Sequence, residues 1–320
     1  MYALGFDMFG GPEVLHYIEL PTPPVPDNAI QLRMIYAGLN FADIYRRRGH
    51  YILEGTAPYI SGYEGVGRIT AVGRNVSGWH IGDRVGFADV PFAQAEYVNV
   101  PTEKAIALPH DIRDETAASL LLQGLTACYL VSDCADVKKG QTALVTAAAG
   151  GVGRLLIQLL KSHDIHVIAL ASTEEKRNVA RTCGAEYALS YDDWETGKLP
   201  SVSGINYVFD SIGTTLPLSI NTLNSRGKVI LFGKSGGALP LIDVEELMMH
   251  SKSIVGGDLW SYLASPHERK IRVAYLFDAI RNHTITPPNI EIFSLQQGAE
   301  AHRRLEDRNF SGKILLKTVV

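Results

Sequence analysis

Residues 142–161, TALVTAAAGGVGRLLIQLLK, contain a strand-like run, a glycine-rich turn and a helix-like run, in that order. Backbone N–H groups and the dipole at the start of such a helix bind the phosphates of a dinucleotide. We therefore predict a pyrophosphate turn at Gly150, Gly151 and Val152, with Gly153 beside it and Ala148 where this type of loop usually has its first glycine. The helix-like run has apolar residues at the spacing of a face that docks on a sheet. These residues are Val152, Leu155, Leu156, Leu159 and Leu160.

Short apolar runs alternate with helix-like runs around this turn. The strand-like runs are 142–147, 166–172, 187–191, 205–211, 228–233 and a weaker one near Ser253. Strands that alternate with helices at this spacing form a parallel sheet covered on both faces. We therefore predict an α/β fold with a doubly wound, dinucleotide-binding domain of the Rossmann type.

The first third of the chain differs, because short β-like runs there are separated by glycines, which predicts a compact β-rich domain. From about Trp260, two helix-like runs at 268–282 and 297–307 lead to a final strand, KILLKTVV. This tail is too short to fold alone, so we expect it to return to the β-rich domain. The predicted domains are residues 1–117 together with 260–320, and residues 118–259.

The composition argues against several classes of protein. With 46% hydrophobic residues, 20% charged residues and a formal net charge of −4, the chain is typical of a soluble globular protein. Its short basic run, Arg46 to Arg48, suits a solvated helix end or, alternatively, attraction of an anionic cofactor. Because the net charge is negative and this basic run is short, we predict no nucleic-acid or membrane partner. Without a leader or an apolar run of about 18 residues, a cytoplasmic location is expected. Three cysteines without C-x-x-C spacing predict neither disulfides nor a structural zinc lobe.

The end of the second predicted strand distinguishes NADPH from NADH. An NADH site has a carboxylate there for the ribose 2′-hydroxyl, whereas an NADPH site has hydroxyls and cations for the 2′-phosphate. This chain has Ala171 at that point, followed by Ser172 and then Lys176, which favours NADPH. Alternatively, Ser172 or Thr173 caps the next helix and the basic residues are surface groups.

Residues 60–69, ISGYEGVGRI, are also rich in glycine, but another strand-like run follows them, so they do not predict a phosphate turn. The segment GYEGVGRITAVGRNV, the later WHIGDRV, the loop AAAGGVG and the returning tail resemble the medium-chain dehydrogenase/reductase superfamily. Residues 140–161 resemble its zinc-free quinone oxidoreductase branch. The resemblance implies a GroES-like catalytic domain beside the Rossmann domain, and a homodimer.

The resemblance also implies that a metal site has been lost. Zinc-dependent relatives have Gly-His-Glu where this chain has Gly62, Tyr63 and Glu64, and an early catalytic cysteine that GLNFADIY lacks. A zinc site needs three or four soft or borderline ligands, and here both the histidine and the cysteine are missing. We therefore predict no metal and a structural role for Glu64.

Without zinc, hydride from NADPH must go to an acceptor that is already electrophilic, a quinone or an alkene conjugated to a carbonyl. The resemblance places the segment NFADIYRRRGHY beside the nicotinamide. It implies catalytic roles for Asn40, Asp43 and Tyr51, with Asn40 also contacting cofactor, and substrate contacts from Tyr45, Arg47 and Tyr51. Alternatively, Asn40 and Asp43 only cap a short helix that Gly49 closes, and quinone reduction takes its protons from solvent.

Further site residues are implied by position in the family. Cofactor contacts are expected from Thr126, Tyr191, Phe232, Gly233 and Lys234, with residues 210–213 lining the same groove. Trp260 and Tyr262 are expected at the substrate mouth, or alternatively in an interface or the core. The run PFAQAEYV, 91–98, departs from the family because Gln94 replaces the usual glycine. The competing functions are conjugated-alkene reduction and NADPH binding without important catalysis.

Overall fold

The computed structural model describes residues 1–202, 204–307 and 309–318. It contains two compact units. The first comprises Met1–Leu122, Ser265–Arg269 and Pro287–Val320, and the second comprises Gln123–Ala264 and Lys270–Thr286.

The elements of the N-terminal part are mostly short strands. In chain order they are β1 (Tyr2–Phe6), β2 (His16–Glu19), β3 (Ala29–Leu39), α1 (Phe41–Arg47), β4 (Tyr59–Ile60), β5 (Gly65–Val72), β6 (Arg84–Phe87), β7 (Tyr97–Pro101), β8 (Ile106–Ala107) and α2 (Asp114–Tyr129). Short 3₁₀ helices occupy Pro12–Val14 and Thr102–Lys104, and a π-helical turn, Leu130–Ala135, extends α2.

Strands and helices then alternate until the chain returns to strands near its end. The elements are β9 (Thr142–Val145), α3 (Gly151–Ser162), β10 (His166–Leu170), α4 (Glu174–Cys183), β11 (Tyr187–Leu189), α5 (Tyr191–Glu195), β12 (Ile205–Asp210), α6 (Leu216–Thr222), β13 (Leu223–Leu231), α7 (Val244–His250), β14 (Ser253–Gly256), α8 (Leu259–Tyr262), α9 (Pro266–Arg281), β15 (Ile290–Ser294), a 3₁₀ turn (Leu295–Gln297), α10 (Gly298–Glu306) and β16 (Lys313–Lys317).

The second unit is built on a parallel sheet with the strand order β11-β10-β9-β12-β13-β14. All six predicted strands are present, within a few residues of the expected bounds at most ends, although β13 begins earlier, at Leu223. The order reverses at β9, so the loops after β9 and β12 lie side by side, where doubly wound sheets bind their ligands. The predicted fold class is confirmed.

The first unit is β-rich, as predicted. One sheet has the order β2-β1-β4, and a larger sheet has the order β15-β16-β3-β5-β6-β8 with β7 also paired to β3. The tail returns as expected, because β16 pairs antiparallel with β3 and places Ile314 opposite Leu39. A buried apolar core that includes Leu32, Phe87 and Leu316 lies under these strands.

The units differ from the predicted domains at three places, because residues 118–122 belong to the first unit, and residues 260–264 and 270–286 belong to the second. Leu276 of α9 is fully buried, and its Cδ1 lies 2.7 Å from the point where a Cβ on Gly124 would be. Thr286 donates its backbone N–H to Gln158 Oε1 of α3 at 2.9 Å. Apolar packing and this hydrogen bond attach most of α9 to the nucleotide-binding unit.

The helical run Asp114–Ala135 is long and apolar enough to cross a membrane by length and composition, contrary to the reading of the sequence. However, 78% of its most apolar window is buried inside the protein. That burial is typical of a core helix. Within the described residues, it is the single helix that meets these criteria.

Candidate functional site

The glycine-rich turn connects β9 to α3, as predicted, and Gly150 is the N-cap of α3. A Cβ on Gly151 would lie 2.4 Å from Gln123 Oε1, and one on Gly153 would lie 2.5 Å from the Ala147 carbonyl oxygen. The contact at Gly153 is with backbone and therefore requires glycine, whereas at Gly151 a side chain would have to displace the end of the Gln123 side chain. The α3 N-terminus with its backbone free of side chains fits a pyrophosphate group.

Tyr191 contributes to the shape of this turn. Its phenolic oxygen accepts a hydrogen bond from the Ala147 N–H at 2.8 Å, and Ala147 has a φ of +45°. Burial raises the pKa of Tyr191 to about 12, so the phenol stays protonated. The sequence predicted a direct adenine-side contact, whereas the structure shows a tyrosine whose hydroxyl supports the phosphate turn.

The predicted 2′-phosphate region follows β10. Ala171 is at the strand end and donates its N–H to the Leu189 carbonyl at 3.1 Å. Ser172 is exposed, whereas the Thr173 hydroxyl accepts from the Lys176 N–H at 3.3 Å and caps α4. The capping alternative is therefore correct for Thr173, and Ser172 remains available to a ligand.

The acidic residues at the start of α4 do not cancel the positive charge there. Glu174 accepts from Arg177 at 2.8 Å and from Arg181 at 2.6 Å. Arg177 also donates to the Ala171 carbonyl at 3.1 Å. Among the described residues, no ion pair involves Lys176. A cation therefore lies one turn from the strand end that lacks a carboxylate.

The buried carboxylate of Asp210 orders the loop after β12, and its backbone carbonyl meets the end of β13. It accepts from the N–H groups of Ile212 and Gly213 at 2.8 and 3.0 Å, and from the Ser219 hydroxyl at 2.7 Å. The Phe232 N–H donates to the Asp210 carbonyl at 3.0 Å.

Three of the predicted cofactor residues, Phe232, Gly233 and Lys234, therefore lie beside residues 210–213. A Cβ on Gly233 would be 2.6 Å from the Ser211 carbonyl oxygen, so the two loops touch through backbone.

Three other predicted residues lie on helices of the second unit. Thr126 is buried on α2, and Trp260 is partly exposed on α8. Tyr262 stacks on Tyr129 with ring centroids 4.4 Å apart, and its hydroxyl oxygen accepts from Cys134 Sγ at 3.3 Å. These contacts match the core alternative for Tyr262, while Trp260 keeps an accessible surface.

A buried ion pair occupies the predicted lost metal site in the first unit. The side chains of Glu64 and Lys313 are both completely buried, and Lys313 Nζ lies 2.6 Å from Glu64 Oε2. Asn40 connects the pair, since its Nδ2 donates to Glu64 Oε2 at 3.0 Å and its Oδ1 accepts from Lys313 Nζ at 2.9 Å. The other carboxylate oxygen, Glu64 Oε1, accepts from the Leu122 N–H at 2.7 Å.

This set of groups does not fit zinc. The one carboxylate of the former metal motif is engaged by an ammonium group, and an ammonium repels a metal cation. Tyr63 replaces the histidine ligand. Among the described residues, no group of three His, Cys, Asp or Glu side chains is arranged to hold a metal ion. Glu64 has the structural role that the sequence predicted.

Asn40 and Asp43 form the predicted cap of α1. The Asp43 carboxylate accepts from the Asn40 N–H at 2.9 Å, and Gly49 with a φ of +72° follows the helix end. Both side chains are buried, with exposed fractions of 5% and 1%. The structure therefore supports the capping alternative and places both residues in the buried network, while their catalytic roles and the cofactor contact of Asn40 stay predictions.

The basic run is not a solvated helix end. The side chains of Arg46 and Arg47 are 2% and 0% exposed, and Arg48 alone of the three is exposed. Arg47 donates to Glu306 at 2.8 Å and contacts His302 Nδ1 at 2.9 Å, both on α10. The Arg47 guanidinium therefore joins α1 to α10, and its contact with substrate stays a prediction.

Tyr51 and Tyr45 differ in accessibility. Tyr51 lies after α1 and is 40% exposed, so its phenol is accessible to a ligand. Tyr45 is partly buried next to Phe41, with ring centroids 6.0 Å apart, and burial raises its pKa. Gln94, the departure from the family pattern, is fully buried and packs against Gly62.

Sequence reasoning missed Lys313 and Arg46. Lys313 is one lysine in an apolar terminal strand, and Arg46 is one of three consecutive arginines. The first residue of KILLK looks like the polar start of a strand, and no local signal shows that it faces Glu64. The partner of Lys313, Glu64, is distant in sequence, and two partners of Arg46, Tyr51 and Ile52, lie on a loop.

Known proteins resemble this chain in sequence. Residues 26–110 match the family model "Alcohol dehydrogenase GroES-like domain", and residues 151–270 match "Zinc-binding dehydrogenase". The chain is 36% identical to a probable quinone oxidoreductase of Schizosaccharomyces pombe, over 96% of this chain and 94% of the relative. It is 31% identical to a 2-haloacrylate reductase of a Burkholderia species, over 96% of both chains.

Solved structures agree with these sequence matches. The quinone oxidoreductase of Escherichia coli complexed with NADPH has a TM-score of 0.91 and 31% identity, over 99% of this chain and all of that chain. A quinone oxidoreductase of Pseudomonas syringae has a TM-score of 0.94 and 30% identity, over 99% of both chains.

The buried ion pair predicts a strongly non-additive double-mutant cycle. Lys313→Met leaves the Glu64 carboxylate buried without its counter-charge and should lower the free energy of unfolding by about 3–5 kcal/mol. Adding Glu64→Gln should recover part of that loss. Urea unfolding measures both effects, with Lys317→Met, at the exposed end of the same strand, as the control. Additive losses in the double variant would contradict the pairing.

Asp43 predicts a pH dependence of stability. Burial raises the pKa of Asp43 from 3.8 to about 6, although Arg46 and the Asn40 N–H oppose this shift. Because the folded-state pKa lies above the unfolded one, the protonated carboxyl stabilises the fold below about pH 4, and that stability is lost as the pH rises through 6.

Relative to Asp43→Asn, the wild type should therefore lose on the order of 3 kcal/mol between pH 4 and 7. Urea unfolding across this range tests the prediction, with the exposed Asp7→Asn as the baseline. Parallel pH profiles for wild type and Asp43→Asn would contradict it.

Proposed function

Because the chain belongs to the zinc-free quinone oxidoreductase branch of the medium-chain dehydrogenase/reductase superfamily, we propose that it is an NADPH-dependent oxidoreductase that reduces quinones. The observation that carries the proposal is the buried Glu64–Lys313 pair, which fills the former metal site with an ammonium group. An enzyme built this way must act on acceptors that are electrophilic without a metal. The quinone oxidoreductases among its relatives support this acceptor class.

The second unit supports NADPH as the cofactor. The glycines at 151 and 153 leave backbone open beside the α3 N-terminus, which suits the pyrophosphate. Ala171 provides no carboxylate for a ribose 2′-hydroxyl, and Ser172 and Lys176 provide a hydroxyl and a cation for a 2′-phosphate. The E. coli relative of known structure binds NADPH.

Bound NADPH supplies a hydride to the acceptor. The protein supplies binding, orientation and protons. The exposed phenol of Tyr51 is the candidate proton donor, since a tyrosine is protonated at pH 7 and can donate or polarise. Asn40 and Asp43 fix the start of α1, the helix that leads to Tyr51. In quinone reduction, solvent can replace Tyr51 as the source of protons.

A second candidate is the reduction of alkenes conjugated to a carbonyl group. The 2-haloacrylate reductase among the relatives acts on this kind of substrate by its name, and an accessible phenol at Tyr51 suits protonation of the reduced carbon skeleton. By analogy with the family, we further propose that the protein is a cytoplasmic homodimer. Light scattering after gel filtration would test whether it is a dimer.

The rate of NADPH oxidation by metal-stripped protein tests these proposals. A simple para-quinone and a conjugated enone are compared in parallel, with NADH as the cofactor control. Faster turnover of the quinone supports the first candidate, and faster turnover of the enone supports the second. Tight NADPH binding without turnover of either would support a non-catalytic binding protein.

Lys176→Ala tests the cofactor assignment. Loss of a charge-assisted contact to the 2′-phosphate should raise the Kd for NADPH about tenfold, while the Kd for NADH changes little. Fluorescence titration of reduced cofactors measures both constants. Lys198→Ala is the matched control, because Lys198 is an exposed lysine of the same unit. Equal weakening of NADPH and NADH would refute the assignment.

Tyr51→Phe tests the proton donor. If the phenol protonates the reduced alkene, kcat with the enone should fall about a hundredfold, since positioned general acids contribute roughly 10²–10⁴ in rate. With the quinone, kcat should stay near the wild-type value because solvent supplies the protons. Steady-state kinetics with both acceptors decide the matter, and equal effects on the two would remove Tyr51 from this role.

A further inference from the structure

The Arg46 guanidinium makes two ring contacts in the first unit. Its Cζ lies 3.6 Å from the centroid of the Tyr63 ring and 4.8 Å from the centroid of the Tyr51 ring. Tyr63 is 2% exposed and directly precedes the buried Glu64. Arg46 therefore connects a buried ring to the accessible ring that we propose as the proton donor.

Arg46 also holds the backbone next to Tyr51. Its Nε donates to the Ile52 carbonyl at 3.0 Å, and its Nη1 lies 3.8 Å from Asp43 Oδ1. Asp43 is fixed in turn by the cap of α1. One guanidinium thus contacts the Tyr51 ring and the carbonyl of the next residue, Ile52, while a buried carboxylate and a buried ring hold it in place.

A planar guanidinium suits this position better than other cations. It can stack on an aromatic face and donate hydrogen bonds from its edge at the same time, whereas a lysine ammonium is a point charge. A charged side chain that is 2% exposed is costly to bury unless such contacts compensate for the lost water. The arrangement is therefore a defined contact and not a surface arginine lying over a ring.

We propose that Arg46 is a positioning residue that holds the Tyr51 ring and the Ile52 carbonyl, and that it thereby favours acceptors whose reduction needs a proton from the protein. The second part rests on the proposed role of Tyr51. A misplaced phenol slows proton delivery to a conjugated alkene, but it has little effect on a quinone that takes protons from solvent. Arg46 thus acts on the choice between the two acceptor classes.

Arg46→Met tests this proposal because it keeps an unbranched apolar stem and removes the charge and the donors. With the enone, kcat should fall about ten- to a hundredfold, as expected when a reacting group is misplaced by about 1 Å. The quinone kcat and the Kd for NADPH should change less than twofold. Arg46→Lys should recover part of the enone rate, since it restores the cation but not the planar edge.

Arg48→Met is the matched control, because Arg48 belongs to the same run but is 49% exposed and pairs with Glu306. It should leave both rates and the backbone exchange of the Tyr51 segment unchanged. Equal falls in the enone and quinone rates of Arg46→Met would overturn the proposed selectivity.

Hydrogen exchange of the amides at 49–55 tests the positioning without any activity measurement. Arg46→Met should increase exchange there, and unchanged exchange would overturn the positioning role. If Arg46→Met does not fold, Tyr63→Leu removes the buried ring and should increase exchange in the same segment. Unchanged exchange in Tyr63→Leu would then overturn the positioning role.

Combination with Tyr51→Phe separates this proposal from the proposed function. If Arg46 acts through the phenol, Arg46→Met should slow the enone reaction no further in the Tyr51→Phe background. A further tenfold loss in that background would overturn action through Tyr51. If Tyr51→Phe alone leaves the enone rate unchanged, the proton-donor proposal and the selectivity fail together, while the exchange data still decide whether Arg46 positions the segment.

Discussion

The contact between the Lys313 ammonium and the Glu64 carboxylate ties together segments of the first unit that are far apart in sequence. Lys313 begins the returning strand β16, Glu64 precedes β5, and Leu122 of α2 donates to the same carboxylate. A buried carboxylate without a counter-charge is strongly unfavourable, so the three segments must meet at this point. Asn40 joins the same network and sets the start of α1. The positions of Tyr51 and Arg46 follow from that start.

The ion pair also constrains the chemistry. In the zinc-dependent relatives this region polarises the substrate through a metal, whereas here the space beside Glu64 belongs to a lysine whose ammonium is directed inwards. Under the proposed function the acceptor itself is electrophilic, and the two candidate classes are quinones and conjugated alkenes. The difference between these two classes lies in the source of the proton. This is why the surroundings of Tyr51 are more informative than the former metal site.

In the second unit the governing constraint is steric. The turn between β9 and α3 brings backbone so close to the Ala147 carbonyl that a side chain at 153 is excluded, and the end of the Gln123 side chain lies against Gly151. Tyr191 holds Ala147 in a left-handed conformation from the opposite side of the turn. The open backbone that suits a pyrophosphate is thus maintained by residues from α2 and α5 as well as by the glycines. Asp210 plays a similar part for the neighbouring loops.

The sequence by itself determined the parallel sheet, the phosphate turn, the return of the tail and the loss of the metal ligands, because these features depend on local spacing and residue type. The capping of α1 by Asn40 and Asp43 was visible for the same reason. Only the tertiary structure decided what Lys313, Arg46 and Arg47 do, since their partners lie up to 273 residues away or on an irregular loop. A charged residue reads as a surface group from its sequence neighbours, and burial can be recognised only when the distant group that compensates for lost water is in place. The assignment of α9 to the second unit was hidden for a related reason, because apolar packing between helices depends on which surfaces meet and not on the helical pattern alone.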